Sequence, residues 1–221
     1  MLKTPLTTER LKHHFQYNAW KYLLAACLIF VGVNLLLTTT AYRSPPEMKV
    51  DLYVCFSGTN QEALQAYLDE AHEKALPDME EVRAYAMMSN DGSDAYTVMQ
   101  LSTYIMAGEG DIYLLSKADF DSYAAQGAML ELTPMIESGQ LNTGGIDMAK
   151  GYAKYYEDEN SLGVEGLYGI PADEMFGLWE YGVDNRGMVF GVMAAGKNHD
   201  NALKLMDYMI STLVIPMPTG E

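Results

Sequence analysis

Hydrophobic positions in this chain form one long uncharged run near the N-terminus, followed by short alternating segments. The run from Tyr22 to Ala41 contains no charged residue. As a helix that rises 1.5 Å per residue, its twenty positions extend about 30 Å, the hydrocarbon thickness of a bilayer. Trp20 and Tyr42 flank the run, as interfacial aromatic residues do. The pattern predicts a single-pass transmembrane helix over residues 22–42.

There are three hypotheses for how this segment is processed: it is an uncleaved signal anchor, a cleaved signal peptide or a lipoprotein signal. The sequence Thr39-Thr40-Ala41 is a poor cleavage site. Leu24-Ala25-Ala26-Cys27 resembles a lipobox, but the apolar run continues for ten residues beyond the cysteine. These features favour the signal anchor. Basic residues before the span then place a tail of residues 1–21 in the cytoplasm and the remainder outside the cell membrane.

After a proline-containing linker at residues 43–48, strand and helix patterns alternate. Val50, Leu52 and Val54 recur with a period of two and predict a strand, and Thr59 to Glu62 reads as the capping box of the next helix. Further strands are expected at residues 82–88, 111–115, 167–171 and 188–195, with a last helix from about Asn198. A long loop with one helical turn around residues 148–156 is expected over 140–166. This order predicts an α/β domain with a mostly parallel sheet over 49–215, and a tail at 216–221.

The third helix, expected after residue 94, illustrates how buried faces are predicted from the pattern. Residues spaced three or four apart lie on one face of a helix. On that basis, the apolar stripe that should face the sheet consists of Val98, Met99, Ser102, Ile105 and Met106.

Charge and residue types narrow the possible functions. The formal net charge is −16; residues 1–42 contribute +3 and the remainder −19. Such an acidic domain repels phosphate backbones, so nucleic acid is not expected as a partner, although the acidity also fits simple solubility. The histidines and the two cysteines do not have metal-ligand spacing, and no catalytic set is recognisable. We therefore expect no metal, no cofactor and no enzymatic activity.

Several segments together resemble a known family. They are Met106–Leu115 (MAGEGDIYLL), Leu167–Pro171 (LYGIP), Met188–Ala194 (MVFGVMA) and Asn201–Asp207 (NALKLMD). In this order they resemble the first lobe of bacterial extracellular solute-binding proteins, which serve ABC importers, often for sugars. The resemblance extends in pieces over residues 49–210. It implies a single-lobe periplasmic-binding-protein-like domain with a small solute, such as a carbohydrate, and an ABC transporter permease as partners.

The chain departs from this family at the hinge. Family members insert a second lobe between the outgoing and the returning strand, whereas here sixteen residues, Ala172 to Gly187, separate them. One lobe cannot close over a ligand as a clamshell does. Solute binding is therefore weak, completed by a partner, or lost. If it is lost, the alternative is a non-catalytic interaction or regulatory ectodomain that docks on another membrane protein.

Two groups of residues are candidates for ligand binding. Ligands of open α/β sheets bind beyond the carboxyl ends of the strands. This rule selects, in chain order, Ser57, Thr59, Asn60, Asn90, Asp91 and Asp111. In the shortened hinge, Trp179 offers an aromatic face for a sugar ring and Glu180 an acceptor for hydroxyl groups. The alternative roles are structural: a helix cap at Thr59, a turn around Asn90, and a cover for the sheet edge at Trp179.

Overall fold

The computed structural model describes residues 8–40, 42, 44–56, 58–87, 95–158 and 161–216. The chain divides into two compact units, Met1–Arg43 and Ser44–Glu221. Helix α1, Thr8–Thr40, belongs to the first unit. Its part from Tyr17 to Thr40 is long and apolar enough to cross a membrane, a property that it shares with signal sequences near an N-terminus.

The second unit is built around one sheet. Among the described residues, its five strands are β1 (Lys49–Val54), β2 (Glu81–Ala86), β3 (Ile112–Ser116), β6 (Gly169–Pro171) and β7 (Met188–Val192). Their order is β2-β1-β3-β7-β6. The strand β1 runs parallel to β2 and β3, whereas β7 runs antiparallel to both β3 and β6. Four of these five strands therefore share one direction, which confirms the predicted α/β class with a mostly parallel sheet.

Helices cover both faces of the sheet. Their bounds are α2 (Gln61–Ala75), α3 (Ala95–Met106), α4 (Lys117–Ala125), α5 (Thr133–Glu137) and α6 (His199–Leu213). Helices α2 and α6 bury their apolar stripes in the core that contains Leu52. Helices α3 and α4 pack on the opposite face, in the core that contains Tyr53. Adjacent residues of β1 thus point into two different cores, as the period-two pattern of a strand requires.

The stretch predicted as a long loop with one helical turn also contains a pair of strands that the sequence did not predict. A 3-10 turn, Met148–Gly151, leads into β4 (Tyr152–Tyr155), which pairs antiparallel with β5 (Val164–Leu167). The ring of Tyr155 lies so close to Gly127 that a Cβ there would be 2.7 Å from a ring carbon. The hairpin therefore depends on a tertiary contact that the local glycine-rich pattern does not reveal.

The predicted buried face of α3 is wrong in part. Ile105 is buried, but it shares the buried face with Thr97 and Leu101, while Met99 and Met106 are exposed. The reason lies in the composition of the helix, because its residues Ala95–Met106 include no charged side chain. Without a charged face, the spacing of apolar residues does not determine which side turns towards the sheet.

The exposed edge of β2 is blocked by a side chain of α2. Gln65 Nε2 donates to Val82 O at 2.9 Å, and Gln65 Oε1 accepts from Ala84 N at 2.8 Å. These two bonds reproduce what a residue of a neighbouring strand would make. Because open edges are sites of unwanted strand pairing, the amide of Gln65 protects this one.

We predict that Gln65→Ala exposes the edge. The Ala84 amide should exchange its hydrogen markedly faster, and the free energy of unfolding should fall by about 1 kcal/mol, the net value of such hydrogen bonds. Hydrogen exchange and chemical denaturation measure the two effects. Gln61→Ala is the control, since Gln61 makes only a 3.5 Å contact with the Ala86 amide. Equal Ala84 protection in wild type and Gln65→Ala would contradict the assignment.

Candidate functional site

The carboxyl end of β1 leads directly into α2. Thr59 Oγ1 donates to Phe56 O at 2.8 Å, within the turn. Asn60, not Thr59, is the N-cap of α2, because its Oδ1 accepts from Ala63 N at 3.2 Å. The capping residue is thus one position later than the sequence pattern predicted. Both side chains are used by the turn and the helix start.

The segment that joins β6 to β7, residues 172–187, lies against this turn and is called the connector below. The two strands pair directly, Ile170 opposite Phe190, so that the connector is a short excursion from the sheet. Asn60 N donates to Tyr181 O at 2.8 Å. A Cβ on Gly58 would lie 2.7 Å from the carbonyl oxygen of Gly182, so only glycine fits this approach. The connector therefore covers the start of α2.

Asn185 fixes the shape of the connector. Its side chain is fully buried, and its Nδ2 donates to Ala172 O at 2.8 Å and to Asp173 O at 2.9 Å. Its Oδ1 accepts from Trp179 Nε1 at 2.6 Å. One amide therefore ties the beginning, middle and end of the connector together. Sequence reasoning missed Asn185, because asparagine is common in turns and its pattern carries no further signal.

Trp179 lines a surface depression of about 340 Å³ together with Gly182, Val183, Asp184 and Arg186. Trp179 is 40% exposed although its indole N–H is bound by Asn185. Arg186 Nε donates to Asp184 Oδ1 at 2.8 Å. Hydrogen bonds from Arg186 lower the pKa of Asp184 to about 2. At neutral pH the depression thus presents the aromatic side chain of Trp179 beside an ionised carboxylate and a guanidinium. It is called the Trp179 depression below.

The other predicted site residues are distributed differently. Glu180 is exposed and adjacent to Trp179 in sequence, but it does not line the Trp179 depression. Ser57, Asn90 and Asp91 lie outside the described residues. Asp111 directly precedes β3 and is therefore at the amino end of the parallel strands, opposite to the end that the sequence argument assumed. The prediction of its position is wrong because Asp111 joins a helix to a strand and does not follow a strand.

Asp111 joins β3 to β1. Its Oδ2 accepts from Asp51 N at 2.9 Å, and its N–H donates to Asp51 O at 3.0 Å. The pKa of Asp111 is raised to about 6, chiefly by burial and also by the charge of Asp51, while the Asp51 N–H, Lys49 and His199 oppose the rise. Lys49 Nζ lies 2.6 Å from Asp51 Oδ2. This geometry describes a buried link between strands.

In the described part of the chain, the arrangement of metal-ligand residues and of cysteine thiols gives little support for a reactive site. No group of three or more His, Cys, Asp or Glu side chains there is arranged to hold a metal ion. Cys27 and Cys55 are free cysteines. Burial raises the pKa of the Cys55 thiol to about 12, so that it is protonated at neutral pH and is a poor nucleophile.

Comparisons with known proteins give structural neighbours only. No protein-family model and no curated protein matches the chain. An extracellular solute-binding protein family 1 member from Alicyclobacillus acidocaldarius subsp. acidocaldarius DSM 446 is 23% identical, with a TM-score of 0.41, over 59% of this chain and 29% of its own. The ABC substrate-binding protein Lmo0181 from Listeria monocytogenes, in complex with cycloalternan, is 22% identical, with a TM-score of 0.39, over 55% and 28%.

These neighbours belong to the family that the sequence resembles. The chain spans less than a third of the length of either neighbour. The fold assignment rests on the sheet order and the helical layers described above. What the neighbours bind is a property of those proteins.

We predict that Asp111→Asn flattens the dependence of stability on pH. The folded-state pKa of about 6 lies above the ordinary carboxyl value of 3.8. Between these values the folded state retains a proton that the unfolded state has lost, so this contribution to stability is lost as pH rises through 6. Melting temperatures measured from pH 4 to 7.5 should fall less steeply in the variant than in wild type.

The control is Asp78→Asn, because Asp78 is exposed. It should leave the slope of the wild-type profile unchanged. A profile of Asp111→Asn that parallels wild type between pH 4 and 7 would show that Asp111 does not titrate as its burial requires.

Proposed function

We propose that this chain is a membrane-tethered, non-catalytic ectodomain of solute-binding-protein type that contacts a small solute, of carbohydrate chemistry, at the Trp179 depression. The observation that carries the proposal is the fixed position of Trp179. Its N–H is held by the buried Asn185 while the residue is 40% exposed. A binding aromatic side chain that is already oriented loses little conformational entropy when a ligand stacks on it.

The chemistry around the ring fits hydroxyl-rich solutes. Aromatic faces pack against the apolar faces of sugar rings, and charged groups at the rim bind hydroxyl groups. Asp184 supplies acceptors and Arg186 supplies donors in the same depression. A volume of about 340 Å³ is at the lower end of the range for small-molecule sites. A single open depression implies weak binding unless a partner, such as an ABC transporter permease, provides the opposite wall.

The tether makes weak binding useful. In this proposal residues 1–21 lie in the cytoplasm, residues 22–42 cross the cell membrane as a signal anchor, and the domain of residues 49–215 is extracellular. The apolar Tyr17–Thr40 part of α1 and the basic excess before it support this topology. A binding domain held at the membrane meets a transporter at high effective concentration, so modest affinity suffices.

A second candidate function is docking on another membrane protein. The observation that favours it is the bond from Asn60 N to Tyr181 O at 2.8 Å. Through it the chain's own connector covers the start of α2, at the carboxyl ends of the strands, where ligands bind in open α/β folds. In that case the Trp179 depression contacts protein, and the domain regulates or positions its partner.

A ligand screen by thermal unfolding of the full-length chain separates the two functions. A sugar at one hundred times its dissociation constant should stabilise the domain by about 2.7 kcal/mol, or several degrees in melting temperature. Trp179→Ala should abolish this shift, because it removes the stacking face. Tyr152→Ala is the control, since Tyr152 is an aromatic residue of similar exposure outside the depression.

The remaining outcomes decide between the candidates. A membrane protein that co-purifies with wild type and not with Trp179→Ala, without any shift across a panel of sugars, favours docking. A sugar shift that persists in Trp179→Ala contradicts the site. The absence of both a shift and a Trp179-dependent partner contradicts both functions.

A further inference from the structure

Asn34 is the most polar side chain in the uncharged run that begins at Tyr22. Its Nδ2 donates to Phe30 O at 3.1 Å, one turn earlier in the same helix. The nearby threonines also bind their own helix: Thr38 donates to Asn34 O at 2.6 Å, and Thr39 donates to Leu35 O at 2.8 Å. A threonine hydroxyl is satisfied in this way, whereas a carboxamide has two N–H groups and an acceptor oxygen. Within the described residues, Asn34 therefore keeps hydrogen-bonding capacity that α1 does not use.

This spare capacity matters if α1 crosses a bilayer, a condition that rests on the proposed function. The hydrocarbon region contains no water that could bind the free N–H and oxygen of Asn34. An amide without a partner in such surroundings costs free energy, and polar side chains in membrane spans therefore bind across helix–helix contacts. Asn34 accordingly marks a contact face on α1.

We propose that this face pairs with α1 of a second copy of the same chain. The electrostatic complementarity of the amide selects this occupant, because each Asn34 offers both a positive N–H and a negative oxygen to the other. Copies inserted in one orientation also bring their Asn34 side chains to the same depth without further adjustment. A helix of another protein meets both conditions only if it carries a matching polar residue at that depth.

The spacing along α1 identifies the remainder of the contact face. Steps of four and three residues follow one side of a helix that packs against a parallel partner. Counted from Asn34, this seam comprises Trp20, Leu24, Cys27, Val31, Asn34 and Thr38. Cys27 lies two turns before Asn34 on the same side and therefore reports the contact. Ile29 lies on the opposite side of the helix and serves as its counterpart.

Disulfide cross-linking in native membranes tests the proposal. The full-length chain with Cys55→Ser retains Cys27 as its one cysteine, and copper phenanthroline is the oxidant. We expect a covalent dimer on a non-reducing gel. Asn34→Leu should lower its yield about three- to thirtyfold, as expected for loss of an interhelical hydrogen bond. Asn34→Gln, which preserves the amide, should retain most of it.

The matched control moves the thiol to the other side of α1. Cys27→Ser combined with Ile29→Cys should give little dimer. Equal dimer from both positions, an unchanged yield in Asn34→Leu, or a product with the mass of a different partner would overturn the pairing. Alkaline extraction separates this failure from that of the proposed function. A chain that leaves the membrane in carbonate refutes the tether and the pairing together, whereas a retained chain without the Cys27 dimer refutes the pairing alone.

Discussion

Asn185 lies fully buried inside the connector and hydrogen-bonds three of its residues. A buried amide that loses such partners costs about 1–3 kcal/mol for each unsatisfied group, so the connector keeps one conformation as long as the domain is folded. In that conformation Tyr181 O is in reach of Asn60 N, and Trp179 is held partly exposed to solvent. The coverage of the start of α2 and the Trp179 depression are thus two consequences of one side-chain network.

This network also explains how the sheet is completed although a connector of only sixteen residues joins β6 to β7. Direct pairing of β6 with β7 completes the sheet, and the 3-10 turn Phe176–Tyr181 contributes the buried Leu178 to the core. The domain therefore has its own hydrophobic core without a second lobe. In the proposed function, a ligand at the Trp179 depression has protein on one side only, and its binding is therefore weak. Tethering and a partner are the two physical means of compensation, and both are part of the proposed function.

The sequence predicted those features that depend on local pattern. Leu205 and Met209 recur at a helical spacing and are buried in α6, and Ser116, a typical N-cap residue, caps α4 by accepting from the Asp119 amide. Tertiary contacts determine the features that it did not predict. The hairpin of β4 and β5 packs through Tyr155 against Gly127, and the uncharged α3 gave no signal for its buried side.

The candidate site shows the same division. The aromatic residues of the connector, including Trp179, can be recognised from the sequence. The hydrogen bond between Trp179 and Asn185 cannot, because only the folded connector brings these two residues together. The position of Asp111 differs from the predicted one for a related reason. A residue between a helix and a strand belongs to the amino end of that strand, and its link to Asp51 crosses sixty positions of sequence.

Hydrogen exchange of the Asn60 amide, compared between wild type and Asn185→Ala, tests the central role of the connector most directly. The Asn60 N–H should be protected in wild type by its bond to Tyr181 O. In the variant it should exchange much faster, while amides of β1 and β3 retain their protection. Free exchange of the Asn60 amide in wild type, or unchanged protection in Asn185→Ala, would contradict this account.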